Sequence, residues 1–135
     1  MSGAAPAIVS DTEYQGGPAI ALGDTTIARE HKVDIAGLGV DGFRLVMPTS
    51  DVMVIRGRDY TGATLPGRWG KHAQLYETPD GQITRYGETG TLFGVYWLLR
   101  QMGVRWYAPG PDGTIFPNRS TLDYTGGDVD IAPKF

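Results

Sequence analysis

The chain has no cysteine, no long apolar run and no cluster of basic residues, and each absence removes a class of function. Without a thiol among the 135 residues, disulfides, thiolate nucleophiles and cysteine-based metal sites are excluded. No apolar run approaches the roughly 20 residues that span a membrane. The net charge is -3, with no run of lysines or arginines that would neutralise phosphates. We therefore expect neither nucleic acid nor a membrane as a partner.

Metal and cofactor motifs are also missing. A zinc site needs three or four convergent ligands, and the two histidines, His31 and His72, belong to no such pattern. Residues 37–42 spell G-x-G-x-x-G, but a predicted helix precedes them and a predicted strand follows. A dinucleotide-binding loop has the opposite order, so we interpret this segment as a turn that its glycines permit. The sequence predicts no metal and no cofactor.

The composition is that of one globular domain built from short elements. Hydrophobic residues make up 41% of the chain, while 20 glycines and 9 prolines favour many turns over a helical bundle. Asp24 precedes a short predicted helix over residues 25–32 and is placed to cap it. Short apolar runs, several bounded by turn residues, predict strands at 18–22, 43–47, 52–56, 72–77 and 82–86.

A longer helix is predicted over residues 91–102, and it is apolar on more than one side. One stripe recurs at three- and four-residue steps and predicts the core face: Leu92, Val95, Tyr96, Leu99 and Met102. The opposite side carries Gly94, Trp97 and Gln101, with Leu98 at its edge. Two interpretations stay open, since either a loop of the same domain covers Trp97, or Trp97 and Leu98 meet a second domain or chain.

Several segments carry a resemblance to a known family. The runs GTLFG at 90–94 and LLRQM at 98–102 resemble the helix of the non-catalytic N-terminal domain of β-N-acetylhexosaminidases. With VRWYAPG at 104–110, the string is similar to the equivalent domain of α-glucuronidase-like glycosidases. The runs IALGDT at 20–25 and GVDGFRL at 39–45 also resemble segments of that family, in the same order. Together the segments span roughly residues 18 to 117.

The resemblance implies a fold and a domain organisation. The fold is α+β, with a mixed β-sheet and helices packed on one face, like the zincin-like second domain of hexosaminidases. Residues 18–118 form the domain, with a β-hairpin insertion at 59–88. Residues 1–17 are a mobile lead-in or a remnant of a truncated first element, and 119–135 are an exit segment towards a catalytic barrel.

The resemblance also implies a function. On this resemblance the chain would be a non-catalytic accessory domain of a carbohydrate-active glycoside hydrolase, truncated before the catalytic barrel on which it would pack. Catalytic carboxylates would lie on that barrel, so no residue here is assigned to catalysis, and the chain is not expected to be an enzyme by itself. The expected contacts with the barrel are Trp97, Leu98, Gln101 and Trp106.

An alternative function is a stand-alone carbohydrate-binding module. Aromatic faces stack on sugar rings, and aromatic residues cluster in the insertion, with Trp69, Tyr76 and Tyr86 as candidate contacts. Packing within a hairpin explains such residues equally well. The acidic residues of the insertion form no catalytic pair that can be recognised without geometry.

Overall fold

The computed structural model of the protein describes residues 6–59, 75–77, 83–85, 89–118 and 123–133. Among these residues no helix is both long enough and apolar enough to cross a bilayer. In these ranges the α-helices are α1 (Thr26–Glu30) and α2 (Gly90–Gln101), and a 3-10 turn occupies Pro111–Gly113. The strands are β1 (Ala19–Leu22), β2 (Phe43–Val46), β3 (Val52–Gly57), β4 (Leu75–Glu77), β5 (Ile83–Arg85), β6 (Arg105–Trp106), β7 (Thr114–Ile115) and β8 (Val129–Ile131).

The main sheet has four strands in the order β1-β3-β2-β8. Strand β1 runs parallel to β3, whereas the β2–β3 and β2–β8 pairs are antiparallel. The predicted α+β fold with a mixed sheet is therefore confirmed. The strands predicted at 43–47 and 52–56 form the antiparallel β2–β3 pair, and those predicted at 72–77 and 82–86 form the antiparallel β4–β5 pair.

The two helices lie on opposite faces of this sheet, so the prediction of helices on one face is wrong. Ala28 of α1 packs in a cluster with Val54 of β3, and Leu98 of α2 packs in a second cluster with Met53 and Ile55. Successive residues of a strand point to opposite faces. The reason is visible in the run Val52–Ile55, which is apolar without alternation and needs cover on both sides.

Helix α1 is shorter than predicted and begins differently. Its N-cap is Thr25, whose side chain accepts a hydrogen bond from the Ala28 amide, and the Asp11 carboxylate accepts one from the Thr26 amide. Asp24, the predicted cap, instead pairs with Arg29 and with Arg56 of β3. The cap prediction fails because two arginines compete for this carboxylate.

The end of the chain also differs from the prediction. Residues 129–131 form β8, which completes the sheet beside β2, so this part of 119–135 is not an exit segment. The sequence signal was weak because β8 has only 3 residues. The domain therefore extends at least to Ile131. Of the predicted insertion at 59–88, only Asp59 and the β4 and β5 strands fall within the described residues.

Candidate functional site

Helix α2 faces the sheet with two glycines and one leucine. Its buried residues are Gly90, Gly94 and Leu98, which recur at four-residue steps and therefore share one stripe. A Cβ atom at position 94 would lie 2.4 Å from Cγ2 of Ile55 and 3.0 Å from Cδ2 of Phe43. A glycine at this position lets the helix backbone approach the sheet closely enough for Leu98 to enter the core.

None of the residues that the sequence predicts as the core face of α2 is fully buried, and two of the five are exposed. Leu92 is 50% exposed and Tyr96 is 45% exposed, whereas Leu98 is 4% exposed. The predicted orientation of the helix is therefore wrong. The larger side chains dominate the periodicity of the sequence, but the close approach to the sheet selects the side with glycines. Val95 and Met102 keep partial contact with the core cluster of Leu98.

Trp97 is covered by this chain itself. Its ring centroid lies 6.0 Å from that of Phe43 on β2 and 6.1 Å from that of Tyr124 in the C-terminal segment. Trp97 is half-buried and Leu98 lies in the core, so the structure favours the first of the two interpretations for this side of the helix. Leu98 offers no surface to a second domain in this conformation. The other two predicted contacts, Gln101 and Trp106, are exposed.

The structure leaves a different apolar surface open. We define the outer apolar surface as Leu92, Phe93 and Tyr96 of α2 together with Trp106 of β6, which are 38% to 50% exposed. The rings of Tyr96 and Trp106 meet edge to face with centroids 5.2 Å apart. A sequence signal for this surface exists, because a helix that is apolar around most of its circumference needs cover on more than one side.

Two carboxylates of the same chain accept hydrogen bonds at the start of α2. The Asp59 carboxylate accepts hydrogen bonds from the backbone amide of Thr91, at 2.9 Å, and from the Thr91 hydroxyl. Asp41 accepts a hydrogen bond from the backbone amide of Thr89 at 2.8 Å. These carboxylates accept hydrogen bonds from two amides and place negative charge at the positive end of the helix dipole, which disfavours a further anion there.

On the face of the sheet that α1 covers, charged side chains form ion pairs with one another. Arg44 of β2 binds Asp130 of β8 through Nε at 2.7 Å and also binds Asp34 at 2.8 Å. Hydrogen bonds from Arg44 lower the pKa of Asp130, and the same contacts raise the pKa of Arg44. Within the described ranges, no group of three or more histidine and acidic side chains is placed to hold a metal ion.

The candidate carbohydrate contacts cannot be placed against this geometry. Trp69 and Tyr86 lie outside the described residues. Tyr76 belongs to β4, where its Cα partner in β5 is Thr84, and its side chain is not described. Sugar binding by these residues stays a prediction.

No family model, curated protein or solved structure matches this chain. The likeness to glycosidase accessory domains therefore rests on the short segments quoted from the sequence. The structure adds the outer apolar surface, of which the sequence analysis assigned only Trp106 to an interface.

Proposed function

We propose that this chain is a non-catalytic accessory domain of a carbohydrate-active glycoside hydrolase and packs against the catalytic barrel of that enzyme. The observation that supports the proposal is the outer apolar surface of α2 and β6. The order of the glycosidase-like segments along the sequence supports the class of the parent enzyme.

The energetic argument starts from the exposed side chains. Full burial of a large apolar side chain contributes about 1.5–3 kcal/mol. Leu92 and Tyr96 are each about half exposed, and the Tyr96 ring packs against the exposed ring of Trp106. A partner that covers all of them gains a few kcal/mol of burial. Clustered apolar surface of this kind marks an interface more often than singly scattered residues do.

The proposed contact differs from the one that the sequence predicts. Leu98 is used by the domain's own core, and Trp97 is occupied by Phe43 and Tyr124. Of the predicted contacts, Trp106 is kept and is joined by Leu92 and Tyr96, whereas the exposed Gln101 lies on the opposite side of the helix.

The test begins with the DNA on both sides of the reading frame. An in-frame continuation that encodes a barrel supplies the partner, which is then produced separately and titrated with the 135-residue chain. A Leu92→Gln variant removes apolar surface and keeps a good helix former. Ile8→Gln is the matched control, because Ile8 is 100% exposed and lies outside the outer apolar surface.

We expect the wild-type chain to bind the barrel, Leu92→Gln to weaken binding at least about tenfold, and Ile8→Gln to leave the affinity unchanged. Flanking DNA without a barrel would contradict the proposal. Equal affinities for wild type and Leu92→Gln would retain an accessory role but remove the outer apolar surface as its contact.

A further inference from the structure

The segment from Asp123 to Ile131 crosses the α2 side of the sheet and ends as an edge strand. We call residues 123–131 the C-terminal strap. Its Tyr124 ring packs on Trp97, and the Tyr124 hydroxyl donates a hydrogen bond to the Gly127 carbonyl at 2.7 Å. Val129 packs against the core cluster that contains Leu98. Part of the Trp97 ring is therefore covered by the strap, through Tyr124.

Two polar anchors hold the strap to β2. The Asp130 carboxylate accepts hydrogen bonds from Arg44 Nε at 2.7 Å and from Arg44 Nη2 at 2.8 Å. The Asp128 carboxylate accepts a hydrogen bond from the backbone amide of Met47 at 2.8 Å. A carboxylate with two parallel bonds to one guanidinium is a strong and geometrically specific contact. These anchors lie on both sides of Val129.

The rest of the strap contributes little buried apolar surface. Strand β8 has 3 residues, and Val129 and Ile131 are only half-buried. Residues 125–128 are exposed. In contrast, Met53, Val54 and Ile55 of β3 are all buried. Segments with few buried contacts open locally at a lower free energy than the core strands do. The polar anchors therefore set how often the strap opens.

We infer that the C-terminal strap is a separately opening unit, latched by the Arg44–Asp130 ion pair, which uncovers Trp97 and the edge of β2 while the remainder of the sheet stays folded. Opening removes β8 from its pairing with Phe43, Arg44 and Leu45. The freed edge of β2 then presents unpaired backbone groups beside an apolar ring, the combination to which an added strand binds.

The latch lies among other charges, and these define its response to pH. Arg44 also binds Asp34, and its neighbour across the β2–β3 pair, Arg56, binds Asp24. On the strap itself the second carboxylate is Asp128, which faces the Met47 amide. The pKa of Asp130 is lowered below its ordinary 3.8 by its hydrogen bonds from Arg44. The latch is therefore fully formed above that ordinary value and is lost as the pH falls through the lowered pKa.

Native-state hydrogen exchange on the full chain tests this inference. The variant is Asp130→Asn, which removes the charge and keeps the shape of the side chain. The matched control is Asp112→Asn, because Asp112 is exposed and no side-chain contact is seen for it in the described part of the chain. The Met47 amide and the hydrogen-bonded amides of the β2–β8 pair report on the strap, and the amides of Val52–Gly57 report on the core.

After correction for intrinsic exchange rates, we expect Asp130→Asn to speed exchange about fivefold at the strap amides and at Met47, since partly exposed ion pairs have modest energies. The β3 amides and the Asp112→Asn control should match wild type. The difference between wild type and Asp130→Asn should shrink as the pH falls below the ordinary carboxyl pKa. Equal acceleration of strap and core amides, or no acceleration at all, would overturn the inference.

Discussion

The two sides of helix α2 differ in a way that the sequence does not suggest. The side that faces the sheet carries Gly90, Gly94 and Leu98, whereas the outer side carries Leu92 and Tyr96. The bulkier side is thus the more exposed one. The difference shows that backbone approach, and not side-chain size alone, decides which face of a helix is buried.

The close approach extends to the backbones of β3 and α2. A Cβ atom at Gly57 would lie 2.1 Å from the Gly90 carbonyl carbon, and one at Gly90 would lie 2.2 Å from the Gly42 carbonyl oxygen. The Gly57 amide donates a hydrogen bond to the Thr91 hydroxyl at 2.9 Å. Glycines on both elements therefore fix the distance at which the first turn of α2 sits on the sheet.

The largest difference between the two sides is expected for a pair of matched truncations. Leu98→Ala should lower the free energy of unfolding by about 2–5 kcal/mol, because it leaves a cavity in the core cluster. Leu92→Ala removes the same atoms from the half-exposed side and should cost less than about 1 kcal/mol. Denaturant unfolding of both variants measures the two values. Similar losses would mean that the helix does not have the orientation described.

A smaller effect is expected from adding one methyl group between helix and sheet. Gly94→Ala should destabilise the protein by about 1–3 kcal/mol, since its Cβ would overlap Ile55 and Phe43. The gain in helix propensity, about 1 kcal/mol, opposes this loss. Gly127→Ala is the control, because no atom lies within 4 Å of the added Cβ. Thermal unfolding that shows Gly94→Ala to be stabilising would argue against a close helix–sheet contact.

The smallest effect concerns the polar anchor at the start of α2. Asp59→Asn keeps the shape of the side chain but removes the charge that accepts from the amide and hydroxyl of Thr91. We expect a loss of about 0.5–2 kcal/mol in unfolding free energy, the range for an N-terminal cap. Asp51→Asn, an exposed substitution in the β2–β3 turn, serves as the comparison. If the two variants had equal stability, Asp59 would not anchor the helix.

Much of the fold was accessible from the sequence. The strands β2 and β3 follow from the short apolar runs at 43–47 and 52–56, and α2 follows from its apolar periodicity. Gly103 has φ 99, the left-handed conformation that ends a helix. These features depend on neighbours along the chain, so local patterns are enough to predict them.

The predictions that were wrong concern features that depend on contacts between residues distant in the sequence. Strand β8 pairs with β2, and its Asp130 binds Arg44, which lies 86 positions away along the chain. The burial of Gly94 depends on the shape that Ile55 and Phe43 present to it. Neither partner can be inferred from the periodicity of one segment. The α2 part of the outer apolar surface was missed for the same reason, because its position depends on which side of α2 packs against the sheet.

The orientation of α2 is the claim on which the proposed contact depends, and thiol labelling tests it directly. The natural chain has no cysteine, so Leu92→Cys and Leu98→Cys each introduce a single reactive group. Under native conditions the thiol introduced at position 92 should react readily. The thiol introduced at position 98 should react at least about a hundredfold more slowly, because it is reached only when the core opens. Equal rates, or faster labelling at position 98, would contradict the account.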